Sequence, residues 1–153
     1  MKTALHDFFA AVSGKSSLRF NITGIANSAE SVIVESAGMA EVNCFVGHNG
    51  LMDMRLDNIP ARSQRSADSF AVVLACKSQP YFAGVLKQLD CIPLITTSGL
   101  MAPEAYTLEA ILTAFADDLN VDSMHTAAAG AYAKYQKCSV SAAKKLFVPY
   151  SQK

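Results

Sequence analysis

The spacing of apolar residues predicts a chain that alternates between strands and helices. Short runs rich in Val, Phe and Ile indicate strands, because buried parallel strands are apolar on both faces. Apolar residues that recur every three or four positions indicate helices that bury one side. Strands are predicted at about 18–22, 32–34, 42–47, 69–75 and 92–97, and helices at about 3–13, 80–89 and 103–118 and after the N-caps Ser123 and Ser139.

This order of elements predicts an α/β fold. After residue 69, strands and helices alternate, and such units give a mainly parallel sheet with helices on both faces, in three layers. An N-terminal helix and a β-hairpin at 15–36 are predicted ahead of the sheet. At 153 residues we expect a single α/β domain spanning 1–153, and the length is equally compatible with a fragment of a longer precursor.

The predicted helix at about 103–118 has an apolar side that we expect to face the sheet. Pro103 suits its first position, where the missing N–H is tolerated. A helix ending near Phe147 closes the chain. The apolar stripe of the 103–118 helix consists of Leu108, Ile111, Leu112 and Phe115.

Charge and hydropathy narrow the classes of partner. Thirteen basic and thirteen acidic residues leave no net charge to attract nucleic acid over a distance. No apolar stretch reaches the length that spans a bilayer, and the first residues lack the apolar centre of a signal peptide. We therefore expect a soluble, cytoplasmic protein with no nucleic-acid or membrane partner, and a homo-oligomer is compatible with these numbers.

The four cysteines predict neither a metal site nor a cofactor. They are scattered along the chain, with no Cys-x-x-Cys pair and no spacing typical of metal ligands. Cys44 and Cys91 lie in strand-like runs and are expected to be buried as small apolar residues. Reduced thiols fit a cytoplasmic location.

His48 and Cys76 are the strongest candidates for chemistry, because each directly follows an apolar strand. The carboxyl ends of parallel strands are where α/β sheets place their sites. If the two strands are neighbours, the imidazole and the thiol lie on one edge, about 5 Å apart from the strand spacing alone. Cys76 also precedes a predicted helix, whose N-terminal dipole favours a thiolate. A nucleophile would thus lie beside its base. The alternative is a buried cysteine, with His48 bonded to a backbone carbonyl.

Residues around this pair are candidates for supporting roles. The N–H of Cys76 and one from the Asn49-Gly50 turn could converge on a developing oxyanion. Thr97 and Ser98 end the next strand, where they could line a substrate pocket or could simply be turn residues.

Asp53 is a further candidate, close in sequence to His48. Its carboxylate could orient the imidazole, although an acid in a loop often only faces water.

The sequence around His48 and Cys76 resembles the caspase-like cysteine peptidases, the group of caspases, gingipains, legumains and separases. It is also similar to bacterial proteins of this fold that have no assigned activity. The resemblance covers about residues 42–100, with a shorter separation of the two residues than in most relatives and with Asn49 where the family has glycine. It implies that His48 is the catalytic histidine, Cys76 the nucleophile, and the N–H of Cys76 part of the oxyanion hole. The motifs that carry it are Phe45-Val46-Gly47-His48-Asn49-Gly50 and Val72-Val73-Leu74-Ala75-Cys76.

Three functions remain open from the sequence. The first is a cysteine hydrolase that cleaves a peptide or protein substrate through a thioester, with His48 exchanging protons. The second is a catalytically inactive α/β module that binds a peptide or protein partner in the same cleft. The third is a structural domain cut from a larger assembly, in which an open sheet edge would be covered.

Overall fold

The chain folds into helices and strands in nearly the predicted order. The computed structural model describes residues 1–15, 18–22, 32–36, 40–63, 68–117 and 120–151. The elements of this part are α1 (Lys2–Val12), β1 (Leu18–Ile22), β2 (Val32–Ser36), β3 (Val42–Val46), β4 (Ser69–Leu74), α2 (Ser78–Gln88), β5 (Cys91–Thr97), α3 (Ala105–Ala116), α4 (Val121–Gln136), α5 (Val140–Leu146) and β6 (Phe147–Pro149).

The main sheet has four strands in the order β3-β4-β5-β6. The pairs β3–β4 and β4–β5 are parallel, which confirms the mainly parallel sheet. β6 is antiparallel to β5 and was not predicted, because its three residues are too few to show a strand period. β1 and β2 form the predicted antiparallel hairpin as a separate two-stranded sheet.

Helices pack on both faces of the main sheet, which confirms the three-layer α/β fold. On one face, α1 and α2 enclose a core in which Phe8, Phe9 and Phe82 meet at ring-centroid distances of 5.2–6.1 Å. The other face is covered by α3, α4 and α5, with Ile111 and Tyr132 in the core. The alternate side chains of β4 supply both cores, as expected for a strand buried on both faces.

The buried side of α3 differs from the predicted stripe. Ile111 is fully buried, and Leu108 and Phe115 pack at the margin of the core. Leu112 is only half-buried and lies outside that core, so its prediction as a sheet-facing residue was wrong. The buried side of α3 is instead completed by smaller residues, Thr107 and Ala114. Large apolar residues alone predict the wrong buried side of a helix when small residues form part of the contact.

The predicted starts of α3 and α4 were wrong by a few residues. α3 begins after Glu104, so Pro103 precedes the helix instead of opening it. α4 begins after Asn120, whose side chain accepts a hydrogen bond from the N–H of Ser123, and Ser123 is therefore not the cap. Ser139 is the N-cap of α5, as predicted, and accepts from the N–H of Ala142. No helix within the described residues is long and apolar enough to cross a membrane.

Candidate functional site

The carboxyl ends of β3 and β4 place His48 and Cys76 on the same edge of the sheet. The strands are parallel neighbours, and Val46 is paired with Leu74 at their ends. His48 and Cys76 each follow two residues later, so they occupy equivalent positions beyond the last pair. This confirms the predicted arrangement of the two strands. We call the edge formed by His48, Asn49, Gly50 and Cys76 the site rim.

His48 forms a close polar contact with an acid at the site rim. Its Nε2 lies 2.6 Å from Oδ2 of Asp53, which ends the short 3₁₀ turn Gly50–Met52. Both side chains are more than half exposed, at 53% and 61%. Of the two sequence interpretations of Asp53, the structure shows the one in which the carboxylate contacts the imidazole. An exposed pair of this kind contributes little to folding stability, but it fixes the ring orientation.

Asn49 is a buried brace between the histidine turn and the cysteine turn. Its side chain is fully buried, and its Nδ2 donates to the Cys76 carbonyl at 2.7 Å. Its Oδ1 accepts from the N–H of Leu51 at 3.1 Å. The sequence suggested a role in oxyanion or substrate binding for this residue. Its burial and its bonds favour a positioning role, because both ends of the amide are used by protein groups.

Gly50 lies under the N-terminus of α1. A Cβ built on Gly50 would approach Met1 Sδ to 2.7 Å and Leu5 Cδ1 to 3.1 Å, so a larger residue would displace these two side chains of α1 and its N-cap. The N–H of Gly50 donates to the His48 carbonyl at 3.1 Å. This N–H, a candidate for the oxyanion hole, is therefore used within the turn.

Cys76 is partly buried at the start of the turn that leads into α2. Its Sγ lies 3.5 Å from both the N–H nitrogen and the carbonyl oxygen of Met101. Among the residues that the structure describes, no hydrogen bond joins the thiol to His48. Lys77 follows in the left-handed region with φ 49°, and its N–H donates to the Gly99 carbonyl at 2.8 Å. This conformation costs a non-glycine residue free energy, and the hydrogen bond to Gly99 helps to hold the turn in it.

Thr97 and Ser98 stabilise the loops beside the thiol. Thr97 is fully buried, and its hydroxyl donates to the Ala75 carbonyl and accepts from the N–H of Ser78. Ser98 is exposed and donates to the Lys145 carbonyl at 2.8 Å. Both hydroxyls are used by protein groups, which favours the interpretation as turn residues over that of pocket lining.

The remaining cysteines differ in their surroundings. Cys91 is buried, as predicted, whereas Cys44 is exposed and its predicted burial was wrong. Although one side of Cys44 is open to solvent, protein atoms desolvate its thiol and raise its pKa from 9.0 to about 11. Exposure to solvent favours reaction of the Cys44 thiol, whereas the raised pKa disfavours it. The raised pKa has the larger effect, because the thiolate is the reactive species. Within the described residues, no group of three or more His, Cys, Asp or Glu side chains is placed to hold a metal ion.

Two features of the site rim were missed by sequence reasoning. One is the buried brace of Asn49, and the other is the contact of the thiol with the backbone of Met101. Met101 follows the end of β5, the next strand in the sheet, so the order of the strands was the signal that could have placed it. Comparison with protein-family models, with curated proteins and with solved structures finds no match for this chain.

Proposed function

We propose that the chain is a cysteine hydrolase of the caspase-like type, acting on a peptide or protein substrate in the cytoplasm. Cys76 is the nucleophile, His48 the general base and acid, and Asp53 the residue that orients the imidazole. The observation that carries the proposal is the equivalent placement of His48 and Cys76 beyond the paired ends of β3 and β4. The contact between His48 and Asp53 adds to it, because a catalytic base is usually held by a third group.

The chemistry follows from these positions. The Cys76 thiol transfers its proton to His48 as the sulfur attacks the acyl carbon, and a tetrahedral oxyanion forms. The oxyanion collapses to a thioester while His48 protonates the leaving amine. Water, deprotonated by His48, then hydrolyses the thioester and returns the thiol. Asp53 stabilises the positive imidazolium that appears in each half of the cycle.

The first step requires the thiol to leave its present contacts. The Cys76 thiol is hydrogen-bonded to the backbone of Met101, so its side chain must rotate toward His48 when substrate binds. Catalytic hydrogen bonds are often long or poorly aligned before substrate binds and tighten only in the complex. Asn49 supports this rotation by holding the Cys76 carbonyl while the side chain turns.

The competing function is an inactive module that binds a peptide or protein partner at the same edge. The contacts of the thiol with Met101 and of the Gly50 N–H with His48 favour it, since both candidate groups are already used. The two functions share a surface and differ in whether Cys76 reacts.

Hydrolysis of a broad panel of fluorogenic peptides and esters separates them. We expect Cys76→Ala to lower turnover at least about 1,000-fold, and His48→Ala to lower it by a similar factor, because the pair acts as a unit. Cys138→Ala is the matched control, because that thiol is exposed and lies after α4. Equal rates for the wild type and Cys76→Ala on every substrate would exclude the hydrolase and leave the binding module.

A further inference from the structure

β3 is an edge strand whose outer hydrogen-bonding side is open. Among the residues that the structure describes, it pairs with β4 alone, and the hairpin of β1 and β2 forms a separate sheet. The N–H of Gly47, just after β3, donates to the Leu74 carbonyl of β4. Backbone groups alternate between the two sides of a strand, so the N–H and C=O groups of Val42, Cys44 and Val46 point to the open side.

Helices leave the side chains of these three residues partly uncovered. Cys44 is exposed and Val46 is 37% exposed, whereas their partners on β4, Val72 and Leu74, are fully buried. Val42 packs only at the margin of the core. Because alternate residues of a strand share one face, β3 presents an apolar row beside its open edge.

β3 lacks the features that protect other edge strands from association. Charged side chains, prolines and bulges usually prevent an edge from pairing with a further chain. The segment Val42–Val46 contains no charged residue and no proline, and its pairing with β4 is regular. A row of free N–H and C=O groups on an extended backbone is complementary to another β-strand, which offers the same groups at the same spacing.

We propose that β3 pairs with β3 of a second copy of the chain, antiparallel about a two-fold axis at Cys44. In this register, Val42 of each copy lies opposite Val46 of the other, and the two Cys44 residues face each other. Each of these pairs exchanges two hydrogen bonds. The two four-stranded sheets thereby join into one continuous sheet.

The sequence of β3 is what selects a second copy as the partner. The pattern Val-x-Cys-x-Val reads the same in both directions, so the apolar row is complementary to itself under a two-fold axis. Glu41 is the charged residue that precedes the strand, and it is exposed. In the proposed register it lies opposite Gly47, which has no side chain, so its carboxylate stays in solvent. Contact along one short strand is small, and we therefore expect a weak dimer.

Sedimentation velocity between about 1 µM and about 1 mM tests the pairing. The wild type is expected to pass from monomer to dimer over this range. Cys44→Lys places two positive charges opposite each other at the axis and should weaken the dimer at least about tenfold. Lysine is common on exposed edge strands, so the monomer should keep its circular dichroism spectrum. Cys138→Lys is the matched control, because this cysteine is also exposed but lies after α4, and it should dimerise like the wild type.

Two double variants test the register. Val42→Glu/Val46→Lys places opposite charges in both outer pairs, whereas Val42→Lys/Val46→Lys places like charges there. Both replace the same two valines, so the first should dimerise at least about tenfold more tightly than the second. Three results would overturn the proposal: a wild type that stays monomeric throughout, including one that binds only a different peptide at this edge, a Cys44→Lys variant that dimerises like the wild type, or equal affinities for the two double variants.

Discussion

The brace formed by Asn49 leads to a prediction that links folding stability to the geometry of the site rim. Replacing Asn49 with alanine removes the bonds to the Cys76 carbonyl and to the Leu51 N–H. Each leaves a partly buried partner unsatisfied, at about 1–2 kcal/mol, so the free energy of unfolding should fall by about 2–4 kcal/mol. For a chain of this size, that corresponds to a melting temperature lower by roughly 4–16 °C.

For the variant Asn49→Asp, we expect a loss of folding stability that depends on pH. The new carboxylate keeps an acceptor for the Leu51 N–H but places a second oxygen against the Cys76 carbonyl, where Nδ2 now donates. Because only the protonated acid can donate there, and burial disfavours the charge, the folded-state pKa of this Asp rises above its unfolded value of about 3.9. The loss of stability is then largest at neutral pH and shrinks as the pH falls toward the unfolded pKa.

Urea unfolding followed by circular dichroism at several pH values measures both effects. The difference between the wild type and Asn49→Asp should narrow on acidification, whereas that for Asn49→Ala should stay constant. Asn120→Asp is the matched control, because an aspartate caps α4 as well as the asparagine does and should be neutral or stabilising. The bracing role of Asn49 would be refuted if Asn49→Ala lowered the free energy of unfolding by less than about 1 kcal/mol. It would also be refuted if the free energies of unfolding of the two Asn49 variants changed with pH in parallel.

Two further predictions concern the core and the thiols. Ile111→Ala should lower the free energy of unfolding by about 2–5 kcal/mol, because Ile111 is a fully buried aliphatic residue. The neighbouring Leu112→Ala should lower it by less than about 1.5 kcal/mol. If urea titrations gave similar losses for the two variants, the rotation of α3 described above would be wrong. For Cys44, the raised pKa of about 11 predicts slow alkylation by iodoacetamide at pH 8, because about 100-fold less thiolate is present than for an unshifted thiol. The rate of alkylation should rise tenfold per pH unit up to about pH 11. Peptide mapping checks this against Cys138, and fast labelling of Cys44 at pH 8 would contradict the desolvation of its thiol.

The arrangement of β3 and β4 was predictable because it depends on local patterns and one topological rule. Apolar runs mark the two strands, and parallel strands bring their carboxyl ends to one edge. The surroundings of individual side chains were harder to predict from the sequence. Cys44 lies in a run that reads like a central strand, yet β3 is the outermost strand of its sheet. Burial depends on strand order, which the run itself does not encode.

The role of Asn49 could not be predicted for a related reason. The segment Gly47-His48-Asn49-Gly50 has the composition of a polar surface turn. Asn49 and Gly50 are nevertheless buried, and the N-terminus of α1 packs against Gly50 from more than 40 residues away in sequence. Similarly, β6 is a strand only because its three residues pair with the end of β5.

The outer position of β3 gives the two halves of the site rim different local stabilities. β4 is hydrogen-bonded on both sides and supplies both cores, so its amides should exchange with deuterium only on global unfolding. β3 has a partner on one side of the four-stranded sheet and exposes Val46 next to the histidine turn. The segment carrying His48 is thus able to open by a sub-global fluctuation while β4, which leads into the turn of Cys76, stays protected. Motion at this edge would change the position of the His48 imidazole relative to the backbone of Cys76.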